Sequence, residues 1–196
     1  MNKVNYDRVM SDIISGLEKN QKLLLHSCCA PCSTACIERL KEYFDLSVYY
    51  YNPNMDTREE YYLRRDEQQR YCQKENVNLI SEEYLNEHYQ VAVVGLESEL
   101  EGGKRCEKCF YLRLEKTAQK AKEWGYDYFA TTLTVSPLKN ATLINGIGLD
   151  LGQKIGVNYL YTDFKKQGGY LRSIELSKQN ELYRQNYCGC AFSKEK

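Results

Sequence analysis

The segment from Lys22 to Phe44 constrains the fold most. An apolar run, Leu23-Leu24-Leu25, leads directly into His26-Ser27-Cys28-Cys29-Ala30-Pro31-Cys32, after which Ile37, Leu40 and Phe44 recur at helical spacing. A short apolar run closed by a turn reads as a buried strand, and the spacing after it as an amphipathic helix. The pattern predicts a strand over 22–26 and a helix over 33–44. The stretch 46–51, β-branched and aromatic and ended by Asn52-Pro53-Asn54, predicts the next strand. Strand, helix and strand within about thirty residues imply a right-handed βαβ unit of a parallel sheet.

The alternation continues. Helices are predicted over 6–19, 57–76, 104–124 (with Gly125 as its cap) and 141–155, strands over 77–84, 126–132 and 157–162, and an irregular or helical stretch over 86–100. From about 164 the chain reads as a tail: a glycine-bearing loop over 165–173, a short helix to 183, then Tyr187-Cys188-Gly189-Cys190. A length of 196 residues suits one domain over 1–196, large enough to need no disulfide staples.

The nine cysteines therefore call for chemistry. The N-terminal residues lack the charged-then-apolar pattern of a secretory signal, so a cytoplasmic chain is expected, in which clustered thiols serve metals or redox reactions. No apolar run is long enough for a membrane span. Cys28 lies at a strand end, where open parallel sheets bind ligands. Cys28, Cys29, Cys106 and Cys109 offer four thiolates, suited to zinc or to an iron–sulfur cluster. Side chains of neighbouring residues are expected to diverge, which suits separate irons of a cubane better than two corners of one zinc site. A strained vicinal disulfide is the alternative. Cys32 reads as a ligand to an additional metal, the open corner of the site, or a helix-start residue. Cys188 and Cys190, one residue apart, read as a strained, redox-active dithiol or as further ligands. Cys36, beside an apolar stripe, and Cys72, with no cysteine nearby, read as buried structural residues, and His88 as a surface residue without a partner.

Lysines and arginines number 27 and so do the acidic residues, which argues against broad nonspecific DNA binding. Basic residues do cluster. Arg58, Arg64, Arg65 and Arg70 read as a solvated helix face, whereas those around Cys106, with Lys139 and Arg172, are candidates for phosphate contacts. No dinucleotide or P-loop glycine motif follows the first strand.

His26 to Cys32, Arg105-Cys106-Glu107-Lys108-Cys109 with Arg113-Leu114, Thr131-Thr132-Leu133 with Ser136-Pro137, Gly169-Tyr170-Leu171-Arg172-Ser173 with Glu175, and Tyr187 to Cys190 together resemble the QueH-type epoxyqueuosine reductases. The resemblance implies an α/β three-layer sandwich of the adenine-nucleotide-hydrolase-like (HUP/Rossmann-like) type with about five parallel strands. It implies reduction of epoxyqueuosine to queuosine at the wobble position of tRNA, the final step of queuosine biosynthesis. By the same resemblance Cys28, Cys29, Cys106 and Cys109 ligate a [4Fe-4S] cluster, with an additional iron at Cys32 left open, and Cys188 and Cys190 form a redox-active disulfide. Its partners are then a tRNA containing epoxyqueuosine and an unidentified electron donor. Proton donors considered are His26, Tyr187 and a bound water. The alternative is a zinc-bearing RNA-binding or tRNA-thiolation module.

Overall fold

A computed structural model describes residues 4–18 and 20–194. Met1 to Lys3, and Lys19 at the expected end of the first helix, lie outside the described residues. Five parallel strands, β1 (Lys22–His26), β2 (Asp45–Tyr50), β3 (Asn78–Ser81), β4 (Tyr128–Thr131) and β5 (Asn158–Tyr159), form one sheet in the order β3-β2-β1-β4-β5. Helices α1 (Tyr6–Ser15), α2 (Ala30–Leu40), α3 (Arg58–Glu75), α4 (Asn86–Ala92), α5 (Lys104–Glu123), α6 (Ala141–Ile155) and α7 (Gly169–Gln179) complete the element order.

The three layers follow from the side-chain alternation of strand β1. Leu23 and Leu25 point into a core shared with Met10 of α1, Ile37 and Leu40 of α2, and Tyr71 and Cys72 of α3. Leu24 points to the opposite face, where it joins Phe110, Leu114 and Ala118 of α5 with Ile144 and Leu151 of α6. All three leucines are fully buried, each contributing about 1.5–3 kcal/mol by removal from water. Chain order reverses between β1 and β4, and at such a switch point the loops leaving the two strand ends part to open a crevice.

Three departures from the sequence pattern have physical causes. Helix α2 begins at Ala30 rather than near residue 33, because Pro31 lies in its first turn, where a missing N–H leaves no bond unmade. Strand β5 is two residues long, since the backbone N–H and C=O of Thr162 bond to the buried side chain of Asn145 instead of to β4. The tail expected from about 164 is in its first part a body element: α7 packs against α2 with Ser173, Leu176 and Ser177 buried. Gly169 lets the start of α7 close on the preceding loop, as a Cβ there would overlap the carbonyl oxygen of Phe164. Only the segment after Asn180 behaves as a strap.

Candidate active site

The loop after β1 is held by a fully satisfied polar frame. His26 Nε2 donates to the carbonyl of Tyr51 (3.2 Å), while Nδ1 accepts from Thr131 Oγ1 (3.0 Å), so one ring ties the ends of three strands together. Ser27 Oγ donates to Gln68 Oε1 (2.6 Å), Gln68 Nε2 donates to Ser33 Oγ (2.9 Å), and Asn52 Nδ2 donates to the carbonyl of Ser27 (2.9 Å). Every member is buried, so each bond strengthens in the low dielectric.

His26 is fully enclosed, and burial, with help from Arg113, pushes its pKa down to about 3. It is a neutral positioning residue and not a proton donor. The folded state refuses a proton that the unfolded chain accepts near pH 6.5. Stability from this group is therefore complete above pH 6.5 and lost as pH falls toward 3, at up to about 1.4 kcal/mol per pH unit. Urea unfolding of wild type and His26→Gln between pH 7 and 4 is expected to show a steeper loss for wild type by up to one proton. Parallel curves would contradict the neutral buried imidazole.

Three thiols converge in front of this frame. The Sγ atoms of Cys28, Cys29 and Cys32 all lie within 4.8 Å of one another, with Cys28 and Cys29 3.9 Å apart. The expected divergence of the neighbouring pair does not occur, because the chain turns from strand to helix there, and Cys32 follows Cys29 by one helical turn on the same face. Hydrogen bonds from Cys29 and then Cys32 hold Cys28 well below the usual thiol range, and contacts with Cys28 and Cys29 push Cys32 up. The positive end of α2 faces the group.

The triad lines a cavity of about 720 Å³, together with Arg64, Arg113, Lys139 and Tyr187. An adjoining cavity of about 30 Å³ is lined by Cys106, Cys109, Cys188 and Cys190, and both cavities share Arg113, Lys139 and Cys188. Helix α5 presents Cys106 and Cys109 from its first two turns, and burial pushes Cys109 up to about 12. All nine cysteines are free thiols. Thus seven thiols meet at the switch point as two groups, and the four expected to act together are divided between them. Cys36 is buried with its Sγ on the carbonyl of Cys32, and Cys72 is buried against Gln68.

The strap after α7 closes the site from above. The carbonyl of Gly189 accepts from the N–H of Asp56 (2.9 Å), the guanidinium of Arg64 covers the ring of Tyr187 at 4.9 Å, and Arg105 covers Phe192 at 4.3 Å. Gly189 has φ +111°, and a Cβ there would overlap Met55 Sδ, so this turn requires glycine.

The arginines were placed differently by the sequence. Arg64, read as part of a solvated face, is buried, pairs with Glu60 (2.6 Å) and faces the cavity. Its helix buries Tyr61, Arg64, Gln68 and Tyr71, an inner stripe that a polar composition conceals but that the three- and four-residue spacing reveals. Arg105 is spent on the carbonyls of Leu96, Glu97 and Glu99. Arg113 is buried one turn beyond Cys109 on the same face, a spacing from which its place beside the thiols was readable. Lys139 is half-buried in the cavity wall, whereas Arg172 is outside it, bound to Glu38 and Glu175. His88 is exposed as expected but has a partner, since Nδ1 meets Tyr51 Oη at 3.0 Å.

Nη2 of Arg64, Nη2 of Arg113 and both polar atoms of the Asn54 amide are buried without hydrogen-bond partners, and all three side chains border the thiol cavities. Orphaned donors around clustered thiols fit an anionic occupant, and an iron–sulfur cluster is one.

The sequence profile of a family described as epoxyqueuosine reductase QueH matches residues 23–196. The chain is 44% identical over 200 residues to the epoxyqueuosine reductase QueH of Streptococcus pyogenes serotype M1, covering 97% of this chain and 78% of that protein. It is 45% identical over 202 residues to that of Staphylococcus epidermidis, covering 97% and 85%, and 38% identical over 174 residues to that of Thermotoga maritima, covering 87% and 89%. Among solved structures, the U34-tRNA thiolase NcsA from Methanococcus maripaludis with its [4Fe-4S] cluster superposes with a TM-score of 0.59 over 96% of this chain and 67% of its own, at 14% identity. That likeness is one of fold, of the adenine-nucleotide-hydrolase-like type.

Proposed function

The chain belongs to the QueH family of epoxyqueuosine reductases, and on that premise we propose that it reduces epoxyqueuosine to queuosine at the wobble position of tRNA. The observation that carries the reading is the meeting of seven thiols in two joined cavities at the switch point, beneath a wall of cations. The larger cavity, about 720 Å³, is of a size that encloses a nucleoside. A zinc-bearing RNA-binding or thiolation module is not favoured, since the relatives are reductases and the thiolase likeness carries fold alone.

Reduction of the epoxide to an alkene takes two electrons and two protons and releases the oxygen as water. A [4Fe-4S] cluster, when bound, supplies electrons singly and a Lewis-acidic iron. We assign it to Cys28, Cys29, Cys106 and Cys109, with Cys32 free for an additional iron. A second reading gives Cys28, Cys29 and Cys32 to one metal centre, because their spacing of 3.9 Å at its shortest resembles the edge of about 3.8 Å of a tetrahedron with metal–sulfur bonds near 2.3 Å. Lys139 binds a substrate phosphate at the cavity mouth, which positions the anticodon loop without reading it. Tyr187 or a bound water delivers protons. Cys188 and Cys190 cycle between dithiol and disulfide, and an electron donor outside the chain restores them. The chain works in the cytoplasm; among the described residues no helix is long and apolar enough to cross a membrane.

Anaerobically purified protein is expected to be brown, to carry iron and inorganic sulfide in roughly equal amounts near four each, and to convert epoxyqueuosine in tRNA to queuosine with a low-potential reductant. Stoichiometric zinc without sulfide, and tRNA left unchanged, would overturn the reading.

A further inference from the structure

Arg113 has no task in the reaction as described, yet it occupies the wall common to both thiol cavities. Its side chain is 1% exposed, and its Nε donates to the carbonyl of Cys109 (3.3 Å), its Nη1 to Asn52 Oδ1 (3.4 Å), and its Nη2 to nothing among the described residues. None of the ion pairs among the described residues includes it. Of the other buried arginines at the site, Arg64 is neutralised by Glu60 and Arg105 is turned onto the carbonyls of Leu96 and Glu97. A buried cation without a counter-charge is strongly destabilising, because desolvation is then offset by nothing. Arg113 shares its cavity walls with thiols of both groups, Cys28 on one side and Cys106, Cys109 and Cys188 on the other.

We propose that Arg113 is a positioning residue of the thiol site, its guanidinium serving as the built-in counter-cation of the bound iron–sulfur cluster and raising the potential at which that cluster accepts an electron. The proposal rests on the iron–sulfur reading above. Each electron added to a thiolate-held cluster adds negative charge, so a fixed cation stabilises the reduced form more than the oxidised form. In a closed cavity this difference is little screened. Asn52 makes the placement firm, since one amide accepts from the guanidinium through Oδ1 and donates to the carbonyl of Ser27 through Nδ2, linking Arg113 to the loop that bears Cys28. Such charges and hydrogen bonds around sulfur are what set cluster potentials.

The test is an anaerobic redox titration of wild type, Arg113→Gln and Arg113→Lys, followed by electron paramagnetic resonance, with iron and sulfide measured on each. Arg113→Gln is expected to lower the reduced-to-oxidised ratio at a given ambient potential by about tenfold, a shift of about 59 mV downward for one electron. Arg113→Lys, which keeps the charge and loses the planar fork, should recover most of the shift. A full cluster in Arg113→Gln at the wild-type potential overturns the proposal, also when the KM for tRNA rises, since the cation would then serve the RNA. If Arg113→Gln holds no cluster, Arg113→Lys decides: a full cluster near the wild-type potential supports the role of charge, and a loss there too overturns it. Absence of sulfide in wild type removes the iron–sulfur reading, and this proposal with it.

Discussion

Serine at Cys28 or at Cys29 is expected to leave a folded protein with little bound iron and with epoxyqueuosine reduction lowered by roughly a hundredfold or more, since loss of groups that merely support a metal ligand already costs about 10- to 100-fold. Both thiols front a polar frame whose bonds do not involve their sulfur atoms, which make only weak contacts to each other, to Cys32 and to Thr132, so the frame survives the change. Iron and sulfide content and turnover check it. The companion substitutions separate the two ligand sets. Cys106→Ser removes the cluster under the assignment to Cys28, Cys29, Cys106 and Cys109, whereas Cys32→Ser removes the bound metal under the second reading, in which the triad that converges within 4.8 Å holds one metal centre. Cys36→Ala and Cys72→Ala serve as controls that keep their iron, because both thiols are turned into the core and bond to protein groups there. Iron retained in full by the Cys28 and Cys29 variants would contradict any role of the triad in metal binding.

Serine at Cys188 or Cys190 should give the opposite pattern, a full cluster with most multiple-turnover reduction lost and a first turnover preserved. The pair lines the small cavity with Cys106 and Cys109, while the strap that carries it is anchored by bonds outside the thiols, through Gly189 to Asp56 and through Tyr187 to Arg64. Gly189→Ala tests the same device from the backbone. The positive φ alone costs about 1–3 kcal/mol for a residue with a Cβ, and Met55 must also give way. The strap is expected to open to protease while the body, whose core lies in the two layers flanking the sheet, melts almost unchanged. Single-turnover and steady-state assays, with alkylation and mass spectrometry of the 188–190 pair, supply the measurement. Loss of iron in either cysteine variant would make these residues ligands instead.

The alternating pattern alone determined a parallel α/β arrangement, with strand β1 and helix α6 to the residue, and the sequence also showed cysteine pairs after β1, at the start of a helix and at the chain end. Periodicity is a local property, written wherever one face of an element is buried. Buried Cys36 was legible for the same reason, and the family was legible because its motifs keep their order along the chain. What only the tertiary structure decided depends on distance between segments remote in sequence. Arg64 reads as solvent-facing from composition, but α3 lays it and Gln68 against the thiol loop and the strap, where each group finds or lacks a partner. The seven thiols divide into Cys28, Cys29 and Cys32 on one side and Cys106, Cys109 and Cys190 on the other, with Cys188 bordering both, because β1 and α5 are placed by the strand order. His26 beside Cys28 looks like an acid in the sequence. Only the enclosure by Tyr51 and Thr131, carried on two other strands, makes it neutral, since desolvation is a property of the packed site and not of the chain.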